Sequence, residues 1–165
     1  MNEDPVRLII TGGTFDKHYD EIKGELNFKD THLPDIIKQV RISYPVELEI
    51  IQLIDSLQMT DDHRAGILEA CRRAPERRIV ITHGTDRMPE TARVLGPAGL
   101  DKTIILTGAM IPFKVGGSDA LFNLGSAFMA VTLLPPGVYI AMNGRTFPWD
   151  RVRKDFEKGM FRFLE

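Results

Sequence analysis

The sequence predicts a three-layer α/β fold, a mainly parallel sheet with helices on both of its faces. Two patterns point to it. Short runs rich in β-branched and apolar residues alternate with longer stretches whose apolar residues recur at helical spacing. Small, hydroxylic or acidic residues follow these runs, as expected where parallel strands present a ligand site at their carboxyl ends.

Taken in order, Val6-Arg7-Leu8-Ile9-Ile10 reads as a buried strand ending at Gly12-Gly13. Residues 14–31 form a long polar connection holding Gly24; connections of this kind often serve as flaps over sites. Leu33, Ile36, Ile37 and Val40 mark the first helix, and Val46 to Leu53 the second strand. Thr60 is placed to cap a helix with Asp61 and Asp62 in its first turn and Ile67, Leu68 and Cys71 on its apolar face. Arg78 to Thr82 is the third strand. Met88 to Leu95 is a helix with Pro89 near its start, where proline is tolerated. Thr103 to Leu106 is the fourth strand. Asp119 is read as the cap of a long helix with Leu121, Leu124, Phe128 and Val131 on one side, and Gly137 to Met142 is the fifth strand.

A chain of 165 residues suits one domain, residues 1–165, with a substantial hydrophobic core. Its formal net charge of -2 lacks the basic surplus of a nucleic-acid-binding domain. Arg72, Arg73, Arg77 and Arg78 do cluster, but Glu69 and Glu76 interleave with them, which fits a solvated helix end. Cys71 is the only cysteine, so no internal disulfide forms, and its apolar setting fits a buried small hydrophobe. Met1 to Pro5 is polar, without the apolar stretch of a signal peptide. The longest apolar stretch, Ala127 to Met142, is broken by Pro135-Pro136-Gly137 and does not suit a bilayer span. A reducing cytoplasmic location is the expectation.

The residues after the strands carry the functional signal: Thr11-Gly12-Gly13-Thr14, Asp55-Ser56-Leu57-Gln58, Thr82-His83-Gly84-Thr85-Asp86, Thr107-Gly108-Ala109-Met110 and Asn143-Gly144-Arg145. Glycines there let the backbone approach a ligand and expose N–H groups to it. Gly12-Gly13 matches neither a dinucleotide fingerprint nor a P-loop, and alone it could be a plain strand-to-loop turn. His83 directly follows a buried strand and reads better as structural than as catalytic. His18, His32 and His63 lack metal-ligand spacing.

Together these motifs resemble the signature segments of bacterial-type L-asparaginases. Thr11-Gly12-Gly13-Thr14 and His83 to Thr91 look like the two principal segments; Thr107 to Pro112, and Ser118-Asp119-Ala120 with Asn123-Leu124, look like two more, in family order. The resemblance implies a flavodoxin-like or Rossmann-like sandwich equivalent to the family's N-terminal catalytic domain. It implies that Thr14 is the nucleophile on a mobile flap, that Thr85 and Asp86 form a second Thr-Asp pair, and that Lys154 is the catalytic lysine. Tyr19 is taken as the flap tyrosine, although Asn27 and Phe28 stand nearer its usual spacing. Ser56 would hold the substrate carboxylate, and Gly13, Gly84 and Ala109 would line the pocket. Leu57 stands where many members carry a polar substrate contact, and the acid that the family's second domain supplies to the substrate ammonium has no counterpart here.

The reaction so implied is hydrolysis of asparagine, or a related small amide, to the acid and ammonia, without metal or organic cofactor. A threonine hydroxyl is a poor nucleophile and needs an adjacent base or a cation that favours its alkoxide. A buried lysine can act as that base when burial pulls its pKa down from about 10.4. The family site also implies a homodimer or homotetramer, with Met160, Phe161 and Phe163 able to serve an interface or to pack on their own domain. Two rivals stand beside this reading. One is a catalytically weak amino-acid-binding or regulatory module, which Leu57 favours. The other is a flavin- or nucleotide-binding flavodoxin-like protein, against which the sequence's lack of a phosphate motif counts.

Overall fold

The structure is a computed structural model and describes residues 4–165; Met1, Asn2 and Glu3, part of the polar N-terminus read above, lie outside the described residues. Strands β1 (Val6–Gly12), β4 (Val46–Ile54), β5 (Arg78–Thr82), β6 (Thr103–Thr107) and β7 (Gly137–Met142) run parallel in one sheet. Its order is β4-β1-β5-β6-β7, closed by β8 (Arg145–Pro148), which pairs antiparallel with β7. Small antiparallel hairpins, β2 (His18–Asp20) with β3 (Glu25–Asn27) and β9 (Val152–Asp155) with β10 (Met160–Phe163), stand outside it.

Side chains of alternate residues build two cores. On one face Ile9, Ile79, Ile81, Ile104, Leu106 and Ile140 meet the helices α2 (Asp61–Arg73) and α3 (Met88–Leu95). On the other, Leu8, Ile10, Val80 and Ile105 meet α1 (Leu33–Val40) and α4 (Ala120–Leu133). This is the expected three-layer sandwich. Its central strands read as unbroken apolar runs because both faces are covered.

Local chemistry explains the helix ends. Thr60 caps α2 through a capping box in which His63 takes the part usually played by a glutamate. At the other end the Lys102 ammonium donates to the carbonyls of Cys71, at 2.7 Å, and Ala74, serving carbonyls that the helix leaves unpaired. Arg7 grips Glu76 with two hydrogen bonds of 2.9 Å, joining β1 to the turn before β5. The arginine cluster is held by acids: Arg72 by Glu69, Arg73 by Glu49 and Arg77 by Asp101. Cys71 is fully buried, and burial pushes its thiol up to about 12, which makes it inert at neutral pH.

Three expectations change. Asp119 makes no side-chain cap for α4; its carboxylate instead accepts from the backbone N–H groups of Met110 and Ile111. Leu121 faces outward, because the buried stripe of α4 runs through Ala120, Asn123, Leu124, Ala127, Phe128 and Val131. In a helix apolar nearly all round, periodicity cannot pick the buried side. Asn143-Gly144 is a hairpin turn between β7 and β8, with φ of 55° and 72°, rather than an edge of a ligand site. At the C-terminal end, Phe161 is buried; Phe163 meets Phe147 with ring centroids 4.7 Å apart but, like Met160, remains exposed.

Ile81 lies at the centre of the sheet with no exposure. Ile81→Ala should cost about 2–5 kcal/mol through lost burial and the cavity left behind. Urea unfolding checks this as a lower midpoint with an unchanged slope.

Candidate active site

The strand order places the site. In a parallel sheet of this order the connections leave β1 and β5 in opposite directions, and a crevice opens at their carboxyl ends. The residues following them are therefore neighbours. Gly13 has φ 81°, and a Cβ there would lie 2.4 Å from the Gly84 nitrogen. A Cβ on Gly84 would in turn lie 2.6 Å from Ser56 Oγ. Three loop starts are thus stacked at contact distance, and side chains at positions 13 and 84 would push them apart. The Gly13 N–H donates to the Ile54 carbonyl at 3.0 Å, fastening β1 to the same loop as Ser56.

Onto this edge β9 delivers Lys154, whose side chain is 5% exposed. Its ammonium donates to Thr85 Oγ1 at 2.8 Å and to Asp86 Oδ1 at 2.5 Å. The Thr85 hydroxyl directs its own proton to Met110 Sδ at 3.5 Å, a weak acceptor, so the oxygen is shaped mainly by the lysine. The Phe156 ring stands 5.1 Å from the ammonium and shields it further. The Thr85, Asp86 and Lys154 expected from the sequence are therefore in direct contact.

Thr14 starts a short 3₁₀ turn, Thr14–Asp16, directly after Gly13, and is partly exposed. Phe15 is buried and stacks on Phe113, with ring centroids 6.5 Å apart. Asp16 ties the two ends of the flap together: its carboxylate accepts from Thr31 Oγ1 at 2.8 Å and from the His32 N–H at 2.9 Å. Burial pushes the Asp16 carboxyl up, while those two donors oppose the shift. Tyr19 sits on β2 in the flap hairpin, 61% exposed, and among the described residues its hydroxyl makes no hydrogen bond to Thr14.

Ser56 is buried and its Oγ accepts from the Arg87 N–H at 3.2 Å. Leu57 is 56% exposed beside it. Ala109 is buried in the loop after β6, and Asp119 together with Asn123, which donates to the Gly108 carbonyl at 2.9 Å, pins that loop. Sequence reasoning assigned neither residue this work; their spacing of four along one helix was the available signal. It also missed Asp55, which accepts from Lys17 Nζ at 2.6 Å.

His83 is structural. Nδ1 meets the Gly84 carbonyl at 2.7 Å and Nε2 meets Thr91 Oγ1 at 2.8 Å, a pairing suited to a neutral ring with its proton on Nδ1. Among the described residues no group of three or more His, Cys, Asp or Glu side chains is arranged to hold a metal ion. A groove of about 340 Å³ between residues 40–44 and α4 is lined mainly by apolar side chains and lies away from this chemistry.

Residues 5–163 match the model of the asparaginase family's N-terminal domain. The chain belongs to the asparaginase family. A relative of this asparaginase-family chain, the human 60 kDa lysophospholipase, is 35% identical over 74% of the chain and 22% of its own length. L-asparaginase 1 of Escherichia coli K12 is 27% identical over 99% of the chain and 51% of its own length. The glutamyl-tRNA(Gln) amidotransferase of Aeropyrum pernix contributes a further relative, one of its subunits, 30% identical over 87% of the chain and 36% of that subunit's length. The structure of the thermostable L-asparaginase of Thermococcus kodakarensis superposes with a TM-score of 0.85 at 26% identity, over 97% of this chain and 51% of that one. The chain thus spans about a fifth to a half of these proteins. No described helix is long and apolar enough to cross a membrane.

Burial lowers the His83 pKa from 6.5 to about 4, against a smaller opposing pull from the Gly84 carbonyl. Unfolding therefore takes up a proton between those values, so this contribution is complete above pH 6.5 and is lost as pH falls toward 4. It amounts to roughly 3 kcal/mol. Thermal unfolding of the wild type and of His83→Gln across that range should show a steeper acid loss in the wild type.

Proposed function

We propose that this chain is an amidohydrolase that cleaves the side-chain amide of asparagine, or of a closely related small amide, through Thr14. The observation that carries the reading is the contact of the Lys154 ammonium with both Thr85 and Asp86 at the edge where Thr14 emerges. The Thr14 hydroxyl oxygen would attack the amide carbon, and its proton would end on the departing nitrogen, which leaves as ammonia. A water would then hydrolyse the ester and restore the hydroxyl. Thr85 would position that water or pass its proton, Lys154 would stabilise charge on the Thr85 oxygen, and Asp86 would orient the lysine. Ser56 and the tightly stacked backbone at Gly13 and Gly84 would hold the substrate, with Ala109 on the far wall. Tyr19 would serve as the flap tyrosine only after the hairpin swings inward.

A reducing, cytoplasmic setting fits the lone buried thiol. A homodimer or homotetramer would bring a partner's carboxylate to the substrate ammonium. A second reading, an amino-acid-binding module of low turnover, is favoured by one specific feature, the exposed Leu57 where a polar contact is usual in the family.

An ammonia-release assay on asparagine, glutamine and short primary amides separates these readings. Turnover of one of them supports the hydrolase, and binding without ammonia supports the module. Thr14→Ala and Thr85→Val should each lower kcat by about 10²–10⁴-fold with the fold intact. Lys154→Met should depress kcat far more than it moves the melting temperature; the reverse pattern would make Lys154 structural.

A further inference from the structure

We propose that Lys17 and Asp55 form a latch that positions the nucleophile: the pair holds the first turn of the flap, and Thr14 with it, against the floor built from Ser56 and Gly84. The inference rests on the reading of Thr14 as nucleophile, but the latch is argued from contacts of its own.

Lys17 lies three residues after Thr14, and its N–H closes the turn on the Thr14 carbonyl at 3.2 Å. Its ammonium reaches Asp55 Oδ2 at 2.6 Å, with the two side chains 18% and 27% exposed. Asp55 immediately precedes Ser56, and its second oxygen accepts from the Leu57 N–H at 3.0 Å. One carboxylate oxygen is therefore fixed by the floor loop while the other holds the flap. Burial pushes the Asp55 carboxyl up, yet the Lys17 hydrogen bond and the Leu57 N–H outweigh it and hold the group below the usual carboxylate range. Lys154 adds to that lowering by its charge, so Asp55 lies within the field of the site.

The latch also has the right neighbours. Among the described residues it is the only ion pair joining residues 14–31 to the rest of the molecule; the other ionic contact there, His18 with Asp30, stays inside the flap. The turn's second anchor is Phe15, buried against Phe113 and accepting at its carbonyl from the Phe113 N–H at 3.2 Å. Phe113 follows β6, and Asp55 follows β4, on opposite sides of β1 and β5 in the sheet. The two anchors thus grip the turn from both sides, with Thr14 beside Phe15 at its start. The Lys17 ammonium also stands 5.7 Å from the Phe28 ring, which brings in the returning limb of the flap. The competing possibility is an ion pair of negligible effect, as many exposed pairs are.

The test uses Lys17→Met, Asp55→Asn and Lys17→Arg with two readouts. The first is deuterium uptake of the ligand-free protein over residues 14–20, which needs no activity. The second is kcat and KM on whichever amide of the panel turns over fastest. The latch predicts faster uptake over 14–20 in Lys17→Met and Asp55→Asn, unchanged uptake in β5, and kcat down on the order of 10²-fold. It predicts near wild-type behaviour in Lys17→Arg, which keeps the charge. Unchanged uptake over 14–20 in Lys17→Met would overturn it, and so would faster uptake with undiminished kcat. If the wild type turns over no amide, the hydrolase reading falls and the uptake result alone decides the latch.

Discussion

A lysine ammonium taken almost wholly out of water needs oxygen partners, and the arrangement at Lys154 follows from that need. Its partners, Thr85 and Asp86, lie 69 and 68 residues away in the chain. They can be met only if β5 ends where it does and the C-terminal hairpin folds back over that end. The hairpin's position is set by the two-residue turn at Asn143-Gly144, which sends β8 back along β7, and by the Asn143 side chain, which accepts from the Phe161 N–H at 2.8 Å. The buried Phe161 in turn pairs with Lys154 across β9 and β10. The placement of one cation thus binds the C-terminal segment of the chain to the middle of the sheet.

Close backbone approach is the second constraint. Gly13 and Gly84 let the loops after β1, β4 and β5 touch, and any Cβ there would meet main chain or Ser56 well inside van der Waals distance. The consequence for function is geometric. Thr14 and Thr85 directly follow the glycines that touch, and Ser56 meets Gly84, so the three residues lie on adjoining loops. His83 supports the arrangement from beneath, buried and neutral, by joining Gly84 to α3 through Thr91. The flap is built differently. It carries a buried aromatic anchor at Phe15, a carboxylate clasp at Asp16 and an exposed hairpin around Tyr19. The segment is thus fixed at its base and exposed at its tip.

Much of this was legible in the residues. The five parallel strands are marked by apolar runs, and α2 and α3 carry end signals, Thr60 and Pro89, that the structure uses as read. Lys154 was placed by family resemblance, since a lysine beside arginines in a polar stretch has no local mark of its own. The misreadings have physical causes. Asp119 stands at a helix start, where a cap is the natural expectation, but two N–H groups of the loop after β6 compete for its carboxylate and win. Leu121 misled because α4 is apolar on nearly every side. Asn143-Gly144 did carry a hairpin signal, which the expectation of a ligand-binding strand end obscured. The Lys17–Asp55 pair had no signal, because nothing in a sequence says which of many lysines meets which of many acids.

In the proposed reaction the hydroxyl at position 14 forms the covalent bond to the substrate. This step is tested most directly by quenching the protein in acid during turnover of asparagine and mapping the acyl group by peptide mass spectrometry. An aspartyl ester confined to the peptide that contains Thr14, and absent from Thr14→Ala, is the expected result. An ester on Thr85 instead, or steady ammonia release from Thr14→Ala, would contradict it.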